Sequence, residues 1–168
     1  MIEIKAKLKI ARAAYKLEVK GRLELPFASR RQSGARARLV SGEEVVLNLP
    51  RGEVLRGGDL ATASDGRVIE VIAVPEPLWQ VVCPNDAQLA RLAWHLGSAH
   101  VPVEMGEGWL RVAVDHDLEA ELRRLGGSVT AIEAPFEPEV ETGKPHAHGH
   151  DHDDHGHHHH GHDHGHEH

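Results

Sequence analysis

Ile2, Ile4, Ala6, Leu8 and Ile10 alternate with Glu3, Lys5, Lys7 and Lys9 at the start of the chain. A period of two is that of a strand with one buried face. Short apolar runs continue over residues 17–19, 23–25, 37–40 and 43–49, the last following a Ser41-Gly42 turn. Leu49-Pro50-Arg51-Gly52 and Gly57-Gly58-Asp59 punctuate the next pieces. Asp65-Gly66 is the strongest hairpin signal, joining residues 60–63 to 68–74. Many short strands with glycine-containing turns predict a small all-β domain over residues 1–75, a barrel or a sandwich.

Pro75-Glu76-Pro77 reads as a short stiff linker, because two prolines restrict the backbone. Beyond it the pattern changes. Residues 78–83 form an apolar strand. Asn85 with Gln88 resembles a capping box, and Leu89, Leu92, Ala93 and Leu96 follow helical spacing up to a stop at Gly97. Residues 101–105 and 109–114 flank a Gly106-Glu107-Gly108 turn. Asp115 caps a second helix whose Leu118, Leu122 and Leu125 form one stripe, stopped by Gly126-Gly127, and residues 128–134 make a last strand. The order β-α-β-β-α-β predicts a ferredoxin-like domain over residues 76–136, giving an α+β protein.

Residues 137–168 break with both patterns. Thirteen of the last 23 residues are histidine, interrupted only by Ala, Gly, Asp and Glu: His146, His148, His150, His152, His155, His157, His158, His159, His160, His162, His164, His166 and His168. Such a stretch offers no apolar surface to offset the entropy of ordering, so a disordered, solvated tail is expected. Its chemistry is metal binding, since neutral imidazole suits nickel, copper and zinc. Interspersed acids and glycines set it apart from the uniform run of a cloning tag.

Charge divides the chain at the same place. The tail holds eight acids and one lysine, and so carries the whole net charge of −7, which leaves the body neutral. A neutral body argues against a nucleic-acid partner, which calls for a basic face. The ferredoxin-like order also occurs in RNA-binding domains, but those stack bases on strand aromatics, and the segment 109–114 carries one aromatic without a basic surround. Cys83 is the lone cysteine, which excludes a disulfide framework and a CxxC motif. The first residues lack the continuous apolar run of a signal peptide, and no apolar run reaches membrane-spanning length, so a cytoplasmic protein with no membrane partner is expected.

Three histidines lie outside the tail: His95 on the flank of the first helical stripe, His100 just past that helix, and His116 beside Asp115 at the start of the second. A single histidine cannot hold a transition metal tightly, so each needs further ligands, from a second subunit or elsewhere.

The segment Ala93-Trp94-His95-Leu96-Gly97-Ser98-Ala99-His100-Val101-Pro102-Val103 resembles the AYHLGNRHVPV signature of the nickel-chaperoning urease accessory family UreE. Ser29-Arg30-Arg31-Gln32, Leu49-Pro50-Arg51-Gly52, Leu55-Arg56-Gly57-Gly58-Asp59 and Ala134-Pro135-Phe136-Glu137-Pro138-Glu139 resemble further blocks of that family, in its order. The resemblance implies a homodimer in which His100 meets its copy at the two-fold axis on one metal ion, with His95 nearby. It also implies a peripheral metal position at Asp115 and His116, weakened here because Val114 stands where some members have another histidine. The β domain is then similar to the family's partner- or peptide-binding domain.

The function that follows is delivery of Ni²⁺ during assembly of the urease metallocentre, in company with an accessory GTPase and apo-urease. No P-loop pattern occurs in the chain, so the GTP-driven step falls to a partner. A store or detoxifier for nickel, zinc or copper is the first rival. A metallohydrolase using His100, Asp115 and His116 is the second, and it lacks a glutamate base at HExxH spacing and any nucleophile motif. A non-enzyme is expected.

Overall fold

The computed structural model describes residues 2–8 and 17–139; the alternation beyond Leu8 and the histidines of the tail lie outside the described residues. The alternating start forms strand β1 (Ile2–Lys7). It is followed by β2 (Val19–Leu25), a single helical turn α1 (Phe27–Arg30), β3 (Arg36–Arg38), β4 (Glu44–Leu47), β5 (Leu60–Ala63) and β6 (Val68–Ala73). These strands make one six-stranded sheet in the order β2-β6-β5-β1-β4-β3. β1 runs parallel to β4 and β2 parallel to β6, the other pairs being antiparallel. Of the two arrangements the sequence left open, this is nearer the barrel. The sheet rolls until its edges meet, where the Val40 N–H, just past β3, donates to the Arg22 carbonyl of β2 at 2.9 Å.

Inside the roll, Ile4, Leu23, Val45, Leu47, Leu55, Ile69 and Val71 are fully buried. Each such side chain contributes roughly 1.5–3 kcal/mol relative to exposure. The turn α1 leaves no periodic trace in the sequence, because four residues are too few to repeat.

The second sheet begins one residue after the first ends. Strand β7 (Pro75–Val82) starts at the segment that reads as a linker, so the two prolines are strand residues instead. Pro75 lies opposite Pro135 and Pro77 opposite Glu133, whereas the other neighbour of β7 joins only from Leu78 onward. At that end the strand has a partner on one side, the place where a residue without an N–H is tolerated. Helix α2 (Asp86–Ser98), β8 (Glu104–Gly106), β9 (Trp109–Ala113), α3 (His116–Arg124) and β10 (Ser128–Pro135) complete the β-α-β-β-α-β order. The sheet runs β10-β7-β9-β8, all antiparallel. β8 is shorter than the expected strand over 101–105, and its hairpin turn is Glu107-Gly108, Gly106 belonging to the strand.

Both helices lie on one face, where Leu92, Leu96 and Leu122 pack against Val81, Leu110, Val112 and Val129. Asn85 caps α2 as the capping-box pattern predicts, its side chain accepting the Gln88 N–H at 3.0 Å and donating to the Gln88 side chain at 3.3 Å. The other face meets the first domain. There Leu78 packs with Phe27 and Phe136, whose rings meet edge to face at 5.3 Å. Among the described residues, no helix is long and apolar enough to cross a membrane.

Candidate metal site

Helix α2 does not stop at Gly97. It continues to Ser98, and the chain turns at His100, whose φ of 56° makes it the one non-glycine residue with positive φ among those described. The His100 N–H donates to the Gly97 carbonyl at 3.0 Å, and the Val101 N–H to the Leu96 carbonyl at 3.0 Å. This pair is the Schellman closure of a helix, a position that usually takes glycine. A histidine in left-handed backbone costs on the order of 1 kcal/mol, and such outliers gather at functional sites. The corner leaves His100 exposed.

His100 borders a cavity of about 590 Å³ that spans the two domains. Pro102 and Met105 line it from the second domain, Arg31 and Glu53 from the first, and Glu139 from the segment after β10. Five large apolar side chains are exposed among the described residues, of which Met105 lines this cavity and Trp94 neighbours the lining Ala93 in sequence. Trp94 on α2 is 74% exposed and Met105 on β8 58% exposed.

His95 is placed differently. Its Nε2 lies 3.2 Å from the Glu121 Oε1 of α3. Glu121 also pairs with Arg124 at 2.6 Å, and chiefly that guanidinium, with His95 adding a lesser part, holds its carboxyl below the usual glutamate range. Nothing local in the sequence links positions 95 and 121, so Glu121 carries no mark of this pairing until the helices are packed.

Asp115 and His116 open α3. Asp115 Oδ1 accepts the N–H groups of Asp117 at 2.9 Å and Leu118 at 3.0 Å, so one carboxylate oxygen is committed to capping. His116 is exposed at the first helical position. Cys83 is half buried at the edge of the core, and burial pushes its thiol up. Among the described residues, no three His, Cys, Asp or Glu side chains gather into a group able to hold a metal ion. His95, His100 and the Asp115-His116 pair are thus separate positions rather than one ligand set.

Comparison with known proteins bears on the whole chain. Residues 5–74 match the model of the UreE urease accessory protein N-terminal domain, and residues 76–168 that of its C-terminal domain. The chain belongs to the UreE family. It is 44% identical to the urease accessory protein UreE of Nitrosospira multiformis over 122 residues, 73% of this chain and 69% of that one. It is 46% identical to the UreE of Ectopseudomonas mendocina and 47% identical to that of Azotobacter vinelandii, each over 118 residues, 70% of this chain and 71% of theirs. The junction between the two UreE domain matches falls at residue 75, where β7 begins.

Proposed function

We propose that this chain is a homodimeric, cytoplasmic metallochaperone that binds Ni²⁺ and hands it on during assembly of the urease metallocentre. Its receivers are the accessory GTPase and the apo-urease complex. The observation that carries this reading is the corner at His100. One imidazole is held in an unfavourable backbone conformation, at an exposed rim on the cavity that Met105 also lines, and belongs to no group of three or more His, Cys, Asp or Glu among the described residues. A two-fold axis through that surface would supply the second imidazole by symmetry and cover Met105 at once. Membership of a urease accessory family supports the destination of the metal.

In this reading residues 1–75 engage protein partners, residues 76–136 hold the dimer and its central ion, and residues 137–168 form the reservoir. Imidazoles of the tail exchange ions readily, and labile coordination is what a carrier needs. Zn²⁺ and Cu²⁺ compete for the same ligands, since histidine sites generally favour copper over nickel. His95 and the Asp115-His116 pair are secondary positions. No catalytic step is required of the chain. The composition of the tail equally suits a metal store, and one experiment separates the two. In urease reconstitution at limiting nickel, the parent chain should raise activation well above that of apo-urease with its other accessory proteins, and His100→Ala should not. Equal activation by both would remove His100 from the transfer route, and no stimulation by the parent would favour the store.

A further inference from the structure

We infer that Glu137 is a positioning residue: it ties the first domain to the strap that begins at His100, and so fixes where that imidazole stands. The inference rests on the reading of His100 as a metal ligand. Arg30 is fully buried at the foot of the first domain, the one polar or charged side chain so placed among the described residues. Its Nη1 donates to the Leu55 carbonyl at 3.0 Å and to Glu137 Oε1 at 2.9 Å, and its Nη2 donates to the Phe136 carbonyl. Glu137 Oε1 also accepts the Gly57 N–H at 2.8 Å, and Oε2 accepts Arg56 Nη1 at 3.0 Å. One carboxylate after β10 therefore receives three donors from the first domain. A Cβ at position 57 would lie 3.2 Å from Glu137 Oε1, so glycine there lets the backbone come close.

The main chain of the same segment faces the opposite way. The Glu137 N–H donates to Glu104 Oε2 at 3.1 Å, and the Glu139 N–H to the Val103 carbonyl at 2.8 Å. Val103 and Glu104 end the short strap that leaves α2 at His100. Its near end is already closed by the Val101–Leu96 bond. The strap is thus pinned at one end by the helix and at the other by residues 137–139. The grip of the Glu137 side chain on Arg30, Arg56 and Gly57 carries the first domain's position into it. Partners hydrogen-bonded directly to a metal ligand typically change affinity by about ten- to a hundredfold when removed, and a residue acting through the strap is expected at the low end of that range.

The test uses the full-length chain with its tail histidines replaced by asparagine, so that Ni²⁺ titration against a competing chelator reads the body alone. Glu137→Gln keeps the shape and removes the charge. It should weaken Ni²⁺ binding about tenfold, while His100→Ala abolishes it and the double variant behaves as His100→Ala. In the unaltered-tail background, hydrogen exchange should quicken at Gly57, Glu139 and the strap amides while the β7–β10 ladder stays protected. Arg56→Gln, which removes the Oε2 contact from the more exposed side, should shift both readouts in the same direction and stands in if Glu137→Gln fails to fold. Unchanged Ni²⁺ affinity in Glu137→Gln beside its loss in His100→Ala would overturn the inference and leave the metal site standing. No effect of His100→Ala would instead sink the metal-site reading. The strap would then be judged on exchange alone, and unaltered strap protection in Glu137→Gln would overturn the inference as well.

Discussion

His95 on α2 faces Glu121 on α3, with His95 Nε2 3.2 Å from Glu121 Oε1, so the imidazole nitrogen nearest the second helix already has a partner. His100, five residues on, lies beyond the end of the helix and borders the cavity between the domains. The two signature histidines therefore stand in different surroundings. His95→Ala should leave the number of tightly bound Ni²⁺ per dimer unchanged, with only a small fall in thermal stability, because a solvent-exposed pair is weak. Equilibrium dialysis beside a melting curve checks both halves.

The left-handed backbone at His100 separates its structural from its chemical role. Glycine adopts φ near 56° freely, so His100→Gly should stabilise the metal-free chain by about 1 kcal/mol. That corresponds to a rise in Tm of roughly 2–4 °C. His100→Ala keeps the strain and should melt near the parent. Both variants should lose the tight Ni²⁺ site. An alanine variant clearly less stable than the parent would show that the imidazole itself braces the corner, and a glycine variant no more stable than the alanine one would show that the left-handed backbone costs little.

Glu137 makes stability depend on acid. Burial works against its charge, but the hydrogen bonds from Gly57 and Arg56 and the nearby Arg30 charge outweigh it, holding the carboxyl below the ordinary 4.5. A carboxyl lowered on folding stabilises the protein above its unfolded value and ceases to do so as pH falls through the folded value. Glu137→Gln should therefore cost roughly 3 kcal/mol at neutral pH, where it leaves the buried Arg30 without its counter-charge. The gap between variant and parent should narrow below about pH 4.5. Urea titrations at pH 7 and in mild acid measure it, and a gap constant with pH would assign the loss to packing.

The tail should set capacity. If each ion takes about two to four imidazoles, its thirteen histidines hold roughly three to six ions per chain. A chain ended after Glu141 should retain about one tight Ni²⁺ per dimer, the shared imidazole pair being the site left. Binding by the full chain should weaken markedly between about pH 7.5 and 5.5, because imidazole binds metal only when unprotonated and has a reference pKa of about 6.5. Equilibrium dialysis of both chains across that interval is the measurement. Flat binding would point to the carboxylates.

Trp94 offers a check on the dimer. Replacing this largely exposed side chain with lysine should leave the monomer's fold intact, since it fills no core, and should shift the mass measured by light scattering toward one chain. An unchanged dimer would move the interface elsewhere.

Much of this was legible because burial writes a period into the chain. The alternation around Ile4, the stripe of Leu92 and Leu96 on α2 and that of Leu118 and Leu122 on α3 are the marks of one-sided packing, and Asn85 with Gln88 announced a helix start. What stayed hidden depends on residues distant in sequence. The prolines at 75 and 77 look like a linker until β10 is laid beside them, and Gly97 looks like a helix stop until His100 takes the left-handed corner. Arg30 and Glu137 are 107 positions apart, and no local pattern joins them. The resemblance to the UreE family touched them nonetheless. The segments 29–32, 55–59 and 134–139 supply Arg30, Leu55, Arg56, Gly57, Phe136 and Glu137, which meet at one point in the fold.

Ala73 ends β6 and Pro75 begins β7, so Val74 alone separates the two sheets, and its N–H lies 3.3 Å from the Leu25 carbonyl. One residue gives the chain no slack in which to absorb a rotation. Two-domain proteins commonly swing about the segment that joins them, but here a swing would have to break the Val74–Leu25 bond, the Phe27 N–H bond to Glu76 on β7 and the grip of Arg30, Arg56 and Gly57 on Glu137. Torque applied to the first sheet by anything docking there must pass into that strand and through it to the helices it supports. The joint works as a drive shaft, not a hinge.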